Sequence, residues 1–146
     1  MAEDGTVAWH VSLAGRALSR TIEGELSEHG LGRGEYRVLF ALSRQDGLTQ
    51  TDLVERFHLE KSSVARAASR LQEKGYIEKR PDPADGRRKQ LRLTPAGRAL
   101  EDELTAIKER VESQLTDGLS DTEQDALIDT LRTICRNMDV NLEGTA

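Results

Sequence analysis

The apolar residues of this chain fall into helical registers over most of its length. Val7, Val11, Ala14 and Leu18 are spaced four, three and four apart, and Ile22 and Leu26 extend the stripe. That spacing predicts an amphipathic helix over 7–29, broken by Gly30, Gly32 and Gly34. A shorter helix fits 34–44, where Tyr36, Val38, Leu39, Phe40 and Leu42 are apolar. Asp46-Gly47 marks a turn. Thr49 then stands as an N-cap, with the Asp52 carboxylate in the first turn of a short helix ending near Phe57. His58-Leu59-Glu60 turns the chain, and the next helix runs over 61–74 and stops at Gly75, a residue type suited to a helix C-terminus.

The period changes after Gly75. Residues 76–80 read as a strand, 81–86 (PDPADG) as a turn-rich loop, and Lys89-Gln90-Leu91-Arg92-Leu93 alternates as the returning strand of a hairpin. Thr94 caps the following helix and Pro95 takes its first position, where a missing N–H costs nothing. Leu100, Leu104, Ile107, Val111 and Leu115 form its apolar side. Ser120 and Glu123 make a capping box for a last helix carrying Leu127, Leu131, Ile134, Met138 and Leu142. The expected fold is therefore mainly α, six helices with one β-hairpin after the fourth.

Composition narrows the function. A chain of 146 residues allows one compact domain or two small lobes sharing a core. No apolar run approaches the ~20 residues of a membrane span. The N-terminus lacks a basic stretch followed by an apolar one, so a cytoplasmic protein without membrane partners is expected. Cys135 is the single cysteine, which excludes an internal disulfide, and there is no C-x-x-C pair for zinc. His10, His29 and His58 lie far apart with no H-x-x-x-H spacing, so no metal or other cofactor is expected. A Gly-rich phosphate loop, a nucleophile elbow and a paired His–carboxylate cluster are all missing, which argues against an enzyme.

The net charge of −5 hides an asymmetry. Residues 61–92 hold ten basic and four acidic side chains, a local excess of +6. Exposed charges more than about 10 Å apart are largely screened, so an acidic protein can still bind a polyanion through such a segment. Two short helices joined by a tight turn, 49–57 and 61–74, form a helix-turn-helix candidate whose first helix opens at Thr49 and Gln50. At 100° per residue, Val64, Ala67, Ala68 and Leu71 of the second helix cluster on a core side. Ser62, Arg66, Ser69 and Glu73 lie nearly opposite, flanked by Ser63 and Arg70 on one side and Ala65 on the other. Small and hydroxylic residues let a helix approach the major groove, and arginine can make two bonds to guanine. The helix N-terminus near Lys61 and Ser62 favours a phosphate. The alternative is an ordinary surface helix.

A basic hairpin directly after such a helix makes a winged helix-turn-helix. Arg87, near the tip of the loop, can enter a narrow minor groove. Asp85 could orient Arg87 by a charge-assisted bond, or serve only as a turn residue beside Gly86. Arg80, Arg88 and Lys89 would be phosphate contacts, which position without specifying.

The stretch Leu59–Arg80 (LEKSSVARAASRLQEKGYIEKR) and the following Asp82–Leu100 (DPADGRRKQLRLTPAGRAL) resemble the multiple-antibiotic-resistance regulator (MarR) family. The family's wing pattern stands here as Asp85, Arg87, Leu93, Thr94 and Gly97. The resemblance is specific over about 48–100 and rests on length and helix order beyond. It implies a cytoplasmic homodimer that binds a pseudo-palindromic double-stranded DNA operator and usually represses. It places Ser62, Ser63, Ala65, Arg66 and Arg70 in the major groove and Arg87 in the minor groove. It also implies a dimerisation helix over 1–30, a DNA-binding unit over 31–94 and C-terminal dimerisation helices over 95–146.

The stripes of the first and last helices fit that assembly. Val7, Val11, Ala14, Leu18, Leu127, Leu131, Ile134 and Met138 are the expected dimer contacts, because a chain of this length has too little core to cover all the seams alone. Many family members release DNA when a small aromatic or phenolic anion enters a crevice lined from the first, second and fifth helices. The candidates here are Trp9, His10, Leu13, Tyr36, Arg37 and Phe40, although Tyr36 and Phe40 read equally as core and Trp9 as interface. Cys135 reads as a buried structural thiol. Two other functions stay open: a DNA-binding regulator without an effector, and a winged helix used for protein contact.

Overall fold

The computed structural model describes residues 5–142. The ends of the first and last segments expected from sequence, 1–4 and 143–146, lie outside the described residues. The first helix, α1 (Val7–Ser27), starts at Thr6, whose hydroxyl accepts from the Trp9 N–H at 3.1 Å. It ends by folding back on itself. The Gly30 N–H donates to Ser27 and the Leu31 N–H to Leu26, both at 3.1 Å, with Gly30 at φ +67. This arrangement needs a left-handed residue, which glycine adopts without a side-chain penalty.

The next elements are α2 (Arg33–Arg44), β1 (Leu48–Thr49), α3 (Gln50–Phe57) and α4 (Lys61–Glu73). The capping box on α3 is complete: the Asp52 N–H donates to the Thr49 hydroxyl at 3.1 Å and the Thr49 N–H to Asp52 at 2.9 Å. The α4 helix closes as α1 does, with Gly75 at φ +79 and the Tyr76 N–H on Leu71 at 2.9 Å. Then come β2 (Ile77–Pro81), β3 (Lys89–Leu93), α5 (Pro95–Ala99), α6 (Glu101–Leu115) and α7 (Asp121–Asn137).

The sheet has three antiparallel strands in the order β1-β3-β2, with Leu48 and Lys79 both opposite Leu91. The hairpin was expected; β1 was not. Two residues before a helix cap carry no period of their own, and their pairing with β3 is set some forty residues away.

The helix expected from Pro95 onward is divided. The Leu100 N–H bonds Gly97 three residues back, so the ladder tightens there and separates α5 from α6. The apolar stripe runs through the division, which is why periodicity alone reads one helix. The last helix is also shorter than its stripe. Met138 is its C-cap and Leu142 lies beyond, because Asp139 takes a left-handed φ of 60 and the Val140 N–H returns to Cys135 at 2.9 Å.

The core is built where α2, α3, α4 and the sheet meet. Val38, Leu39, Leu42, Leu53, Val64, Leu71, Ile77 and Leu91 are fully buried there, and α6 adds Leu104, Ile107 and Val111 against Leu26 of α1. By contrast, α7 buries no residue. Val7, Val11, Leu127, Leu131 and Met138 are exposed, Ala14 is exposed as well, and Leu18 and Ile134 are half-buried. An apolar groove of about 490 Å³ runs between α1, α6 and α7, lined by Val11, Ala14, Leu18, Leu127 and Leu131 among others.

Candidate nucleic-acid interface

The α4 helix turns Val64, Ala67, Ala68 and Leu71 inward, as its sequence predicts. Lys61, Ser62, Arg66, Ser69 and Arg70 are exposed, and Ser63 and Ala65 are half-exposed at the flanks. The side chains of Arg66 and Arg70 make no ion pair or hydrogen bond among the described residues, so their guanidinium donors are available. The start of the helix differs from expectation in one respect. Glu60 is the N-cap residue, and the Ser62 hydroxyl donates to its carboxylate at 2.5 Å. A phosphate approaching this helix end would meet a carboxylate and must displace it from Ser62.

The wing is shaped by Asp85. Its Oδ1 accepts from the Arg87 N–H at 3.0 Å, while the Arg87 Nε lies 3.9 Å away, too far for a hydrogen bond. Asp85 therefore acts here as the turn residue and leaves the Arg87 side chain 96% exposed. The loop is closed by the Asp82 N–H on Arg88 (2.9 Å) and the Arg88 N–H on Asp85 (3.0 Å). Lys89 is exposed, and Arg80 is held by Glu78 at 2.7 Å.

Arg88 does something its sequence position did not reveal. Its guanidinium donates to the hydroxyl of Thr49 at 3.2 Å. Thr49 is buried and its hydroxyl already caps α3, so one oxygen ties the wing to the first helix of the helix-turn-helix. Gln50, next to it, is half-exposed. Burial pushes the Asp52 carboxyl up, but the Thr49 N–H and hydroxyl, with Arg56 and Arg88 nearby, outweigh it and hold Asp52 below its ordinary range.

The wing's base is fixed from two sides. Asp46 accepts from the N–H groups of Gly47 (3.1 Å) and Leu93 (3.0 Å), and pairs with Arg98 at 2.7 Å. The Thr94 hydroxyl accepts from the Gly97 N–H at 3.2 Å and donates to the Gly75 carbonyl at 2.5 Å. Gly97 sits directly on the backbone that leads into β2: a Cβ there would lie 2.1 Å from the Tyr76 carbonyl oxygen.

The six effector candidates do not converge. Tyr36 and Phe40 stack at 6.0 Å on α2 and, with Arg37, Phe57, His58 and Leu59, line a hollow of about 290 Å³. Burial lowers the Arg37 pKa from its ordinary value, with Arg33 adding to it, and the guanidinium has no partner among the described residues. Trp9 lies on α1 with Arg16 over its ring at 5.9 Å, His10 lines the α1–α7 groove, and Leu13 is exposed. Sequence reasoning placed His58 in the turn of the motif, where it holds a left-handed φ of 53, but missed it as a wall of this hollow, and it missed two cations nearby. Arg44 and Lys108 lie over the Phe40 ring at 5.8 and 5.1 Å. The Phe40–Arg44 spacing was a signal; nothing local pointed to Lys108.

Comparison with known proteins agrees with this geometry. Residues 29–88 match the MarR family. A relative from Thauera aromatica whose name ties it to regulation of the hcr operon is 30% identical over 121 residues, spanning 83% of this chain and 71% of that one. The transcriptional regulator BilQ of Clostridioides difficile is 29% identical over 109 residues, 75% of this chain and 74% of its own length. Among solved structures, BpsR of Bordetella bronchiseptica superposes with a TM-score of 0.83 at 25% identity, over 92% of this chain and 96% of that one. Its DNA binding is described as regulated by 6-hydroxynicotinic acid. CouR of Rhodococcus jostii, solved with p-coumaroyl-CoA, superposes at 0.82 with 26% identity, covering 92% and 94%. A winged helix-turn-helix of this kind defines a DNA-binding transcriptional regulator rather than an enzyme. The chain belongs to the MarR family.

Proposed function

We propose that the chain works in the cytoplasm as a homodimeric repressor, released from a pseudo-palindromic operator by a small aromatic anion. The observation that carries the DNA part is the outward face of α4. It is small and hydroxylic, bears two unpartnered arginines, and stands beside a wing that presents Arg87 to solvent. Residues 31–94 form the DNA-binding unit, and the segments 1–30 and 95–146 form the dimer lobe. The support for that division is the apolar groove and the uncovered face of α7. Two recognition helices one DNA turn apart require half-sites with centres ~10 bp apart.

Binding to a fluorescent duplex selected by the protein from a randomised pool, titrated in salt, tests this directly. Arg66→Ala should cost ~1–3 kcal/mol on the selected duplex and relax preference at one base pair of each half-site. An equal loss on scrambled DNA would make Arg66 a phosphate contact instead. Arg87→Ala should weaken binding to every sequence and reduce the salt slope by ~1. An unchanged slope would mean the wing does not reach the duplex. No binding at low salt to either duplex would favour a protein-contact role.

The effector reading rests on Arg37. An exposed cation without a counter-ion among the described residues, at the rim of a hollow walled by Tyr36, Phe40 and Phe57, suits an aromatic carboxylate. The 6-hydroxynicotinic acid that regulates BpsR is of that ligand class. Arg37→Ala should abolish the release of DNA by 6-hydroxynicotinate or p-coumarate, whichever acts on the wild type, and change DNA affinity itself by no more than about twofold. If the variant still responds, the anion binds elsewhere.

A further inference from the structure

Glu35 is the buried charged residue among the described residues, 4% exposed. It lies in the first turn of α2, where the helix N-terminus favours a carboxylate. Its counter-ion comes from α4: the Lys74 ammonium, at the far end of that helix, donates to Glu35 at 2.6 Å. The same ammonium donates to the Gly30 carbonyl at 2.7 Å. Lys74 thereby joins the end of the recognition helix to the start of α2 and to the left-handed turn that closes α1. That turn is held from the other side by α6, through His29 and Glu103 at 2.8 Å, and α1 is held nearby through Glu25 and Arg110 at 2.7 Å.

We propose that Glu35 and Lys74 are a positioning pair that sets the tilt of the recognition helix against the α1–α2 turn, and so governs operator specificity without touching DNA. The proposal rests on the DNA-binding function argued above.

The argument is one of leverage. Base-reading residues lie at the N-terminal end of a recognition helix. Ser62 stands twelve residues from Lys74, ~18 Å along the axis. A tilt of ~5° about the Lys74 end would move Ser62 by ~1.5 Å. Binding groups must be held within ~0.5 Å for productive geometry, so that tilt is enough to mis-seat Arg66. Phosphate contacts tolerate it better, because a lysine or arginine reaching a charged backbone is less directional than a paired hydrogen bond to one base. An ion pair whose lysine is 37% exposed while its carboxylate is buried is also a weak source of net stability. A positional role is where this pair has most to contribute.

The test uses the full chain with Glu35→Met and Lys74→Met combined, which removes both charges, strands no buried polar side chain and nearly keeps the side-chain volumes. Thermal melting and anisotropy are read on the duplex selected by the wild type and on a scrambled duplex of the same length, across a salt series. The double variant should melt within a few degrees of wild type. It should lose about tenfold or more on the selected duplex, hold within about twofold on the scrambled one, and keep its salt slope. Lys74→Met alone should melt lower, because it strands the buried carboxylate. Undiminished affinity for the selected duplex would overturn the proposal. So would an equal loss on both duplexes with a lower slope, which would make Lys74 a phosphate contact. If the double variant does not fold, the pair holds the fold rather than the tilt, and the proposal falls. A wild type that does not discriminate the two duplexes would strike the DNA-binding function itself, and that control separates the two failures.

Discussion

Gly97→Ala should destabilise the protein by about 3 kcal/mol, measured by chemical denaturation, although the substitution adds a single methyl group. In an ordinary helix the same change stabilises by about 0.5–1 kcal/mol, since alanine has less backbone freedom to lose. The sign reverses here because the new Cβ would lie 2.1 Å from the Tyr76 carbonyl oxygen and 3.2 Å from a Leu93 methyl. The nearest atom is backbone at the start of β2, so no side chain can rotate away. Relief requires α5 to lift off the sheet, which breaks the Thr94 bridge to Gly75 and loosens the base of the wing. DNA affinity should fall with stability. A variant as stable as wild type would show that α5 packs on β2 with slack.

Leu127→Glu combined with Leu131→Glu should yield a folded monomer that binds its operator 10²–10⁴-fold more weakly, the advantage that tethering two half-site readers supplies. Both side chains are exposed in the single chain, 46% and 40%, and α7 buries nothing there. Charges at these positions therefore cost the monomer's core little. They penalise only an assembly that covers them, since an unpaired carboxylate in an apolar seam is expensive. Sedimentation and the unfolding transition separate the outcomes. A variant that remains dimeric would place the interface away from the α1–α7 groove, and one that unfolds would mean α7 is needed by its own chain.

Much of this architecture was legible because its signals are local. The Thr49, Thr94 and Ser120 caps each bind an N–H three residues on, and all three are where the sequence placed them. The inward face of α4 follows from 100° per residue applied to Val64, Ala67, Ala68 and Leu71. What was missed is non-local. The pairing of β1, the Arg88 bond to Thr49 and the Lys74 bond to Glu35 each join residues about forty positions apart. Spacing cannot reveal such partners, because they depend on how finished elements pack. The expected effector set was carried over from the crevice the family resemblance implies, and here it divides between α1 and α2.

The strand order has a mechanical result. β1 leads directly into α3, and β2 leaves directly from the end of α4, and both pair with the single central strand β3. Both helices of the reading motif thus form an excursion whose entry and exit are clamped to the root of the wing. Such a unit moves largely as one body: a wide swing of either helix would tear hydrogen bonds from β3, which leaves room only for small changes of tilt such as the one Glu35 and Lys74 set. A large displacement of the reading helix would then come from a hinge outside the clamp, which would carry wing and reading helix together. Backbone amides of β1, β2 and β3 should accordingly exchange with deuterium as one cooperative block, with rates set apart from those of α7.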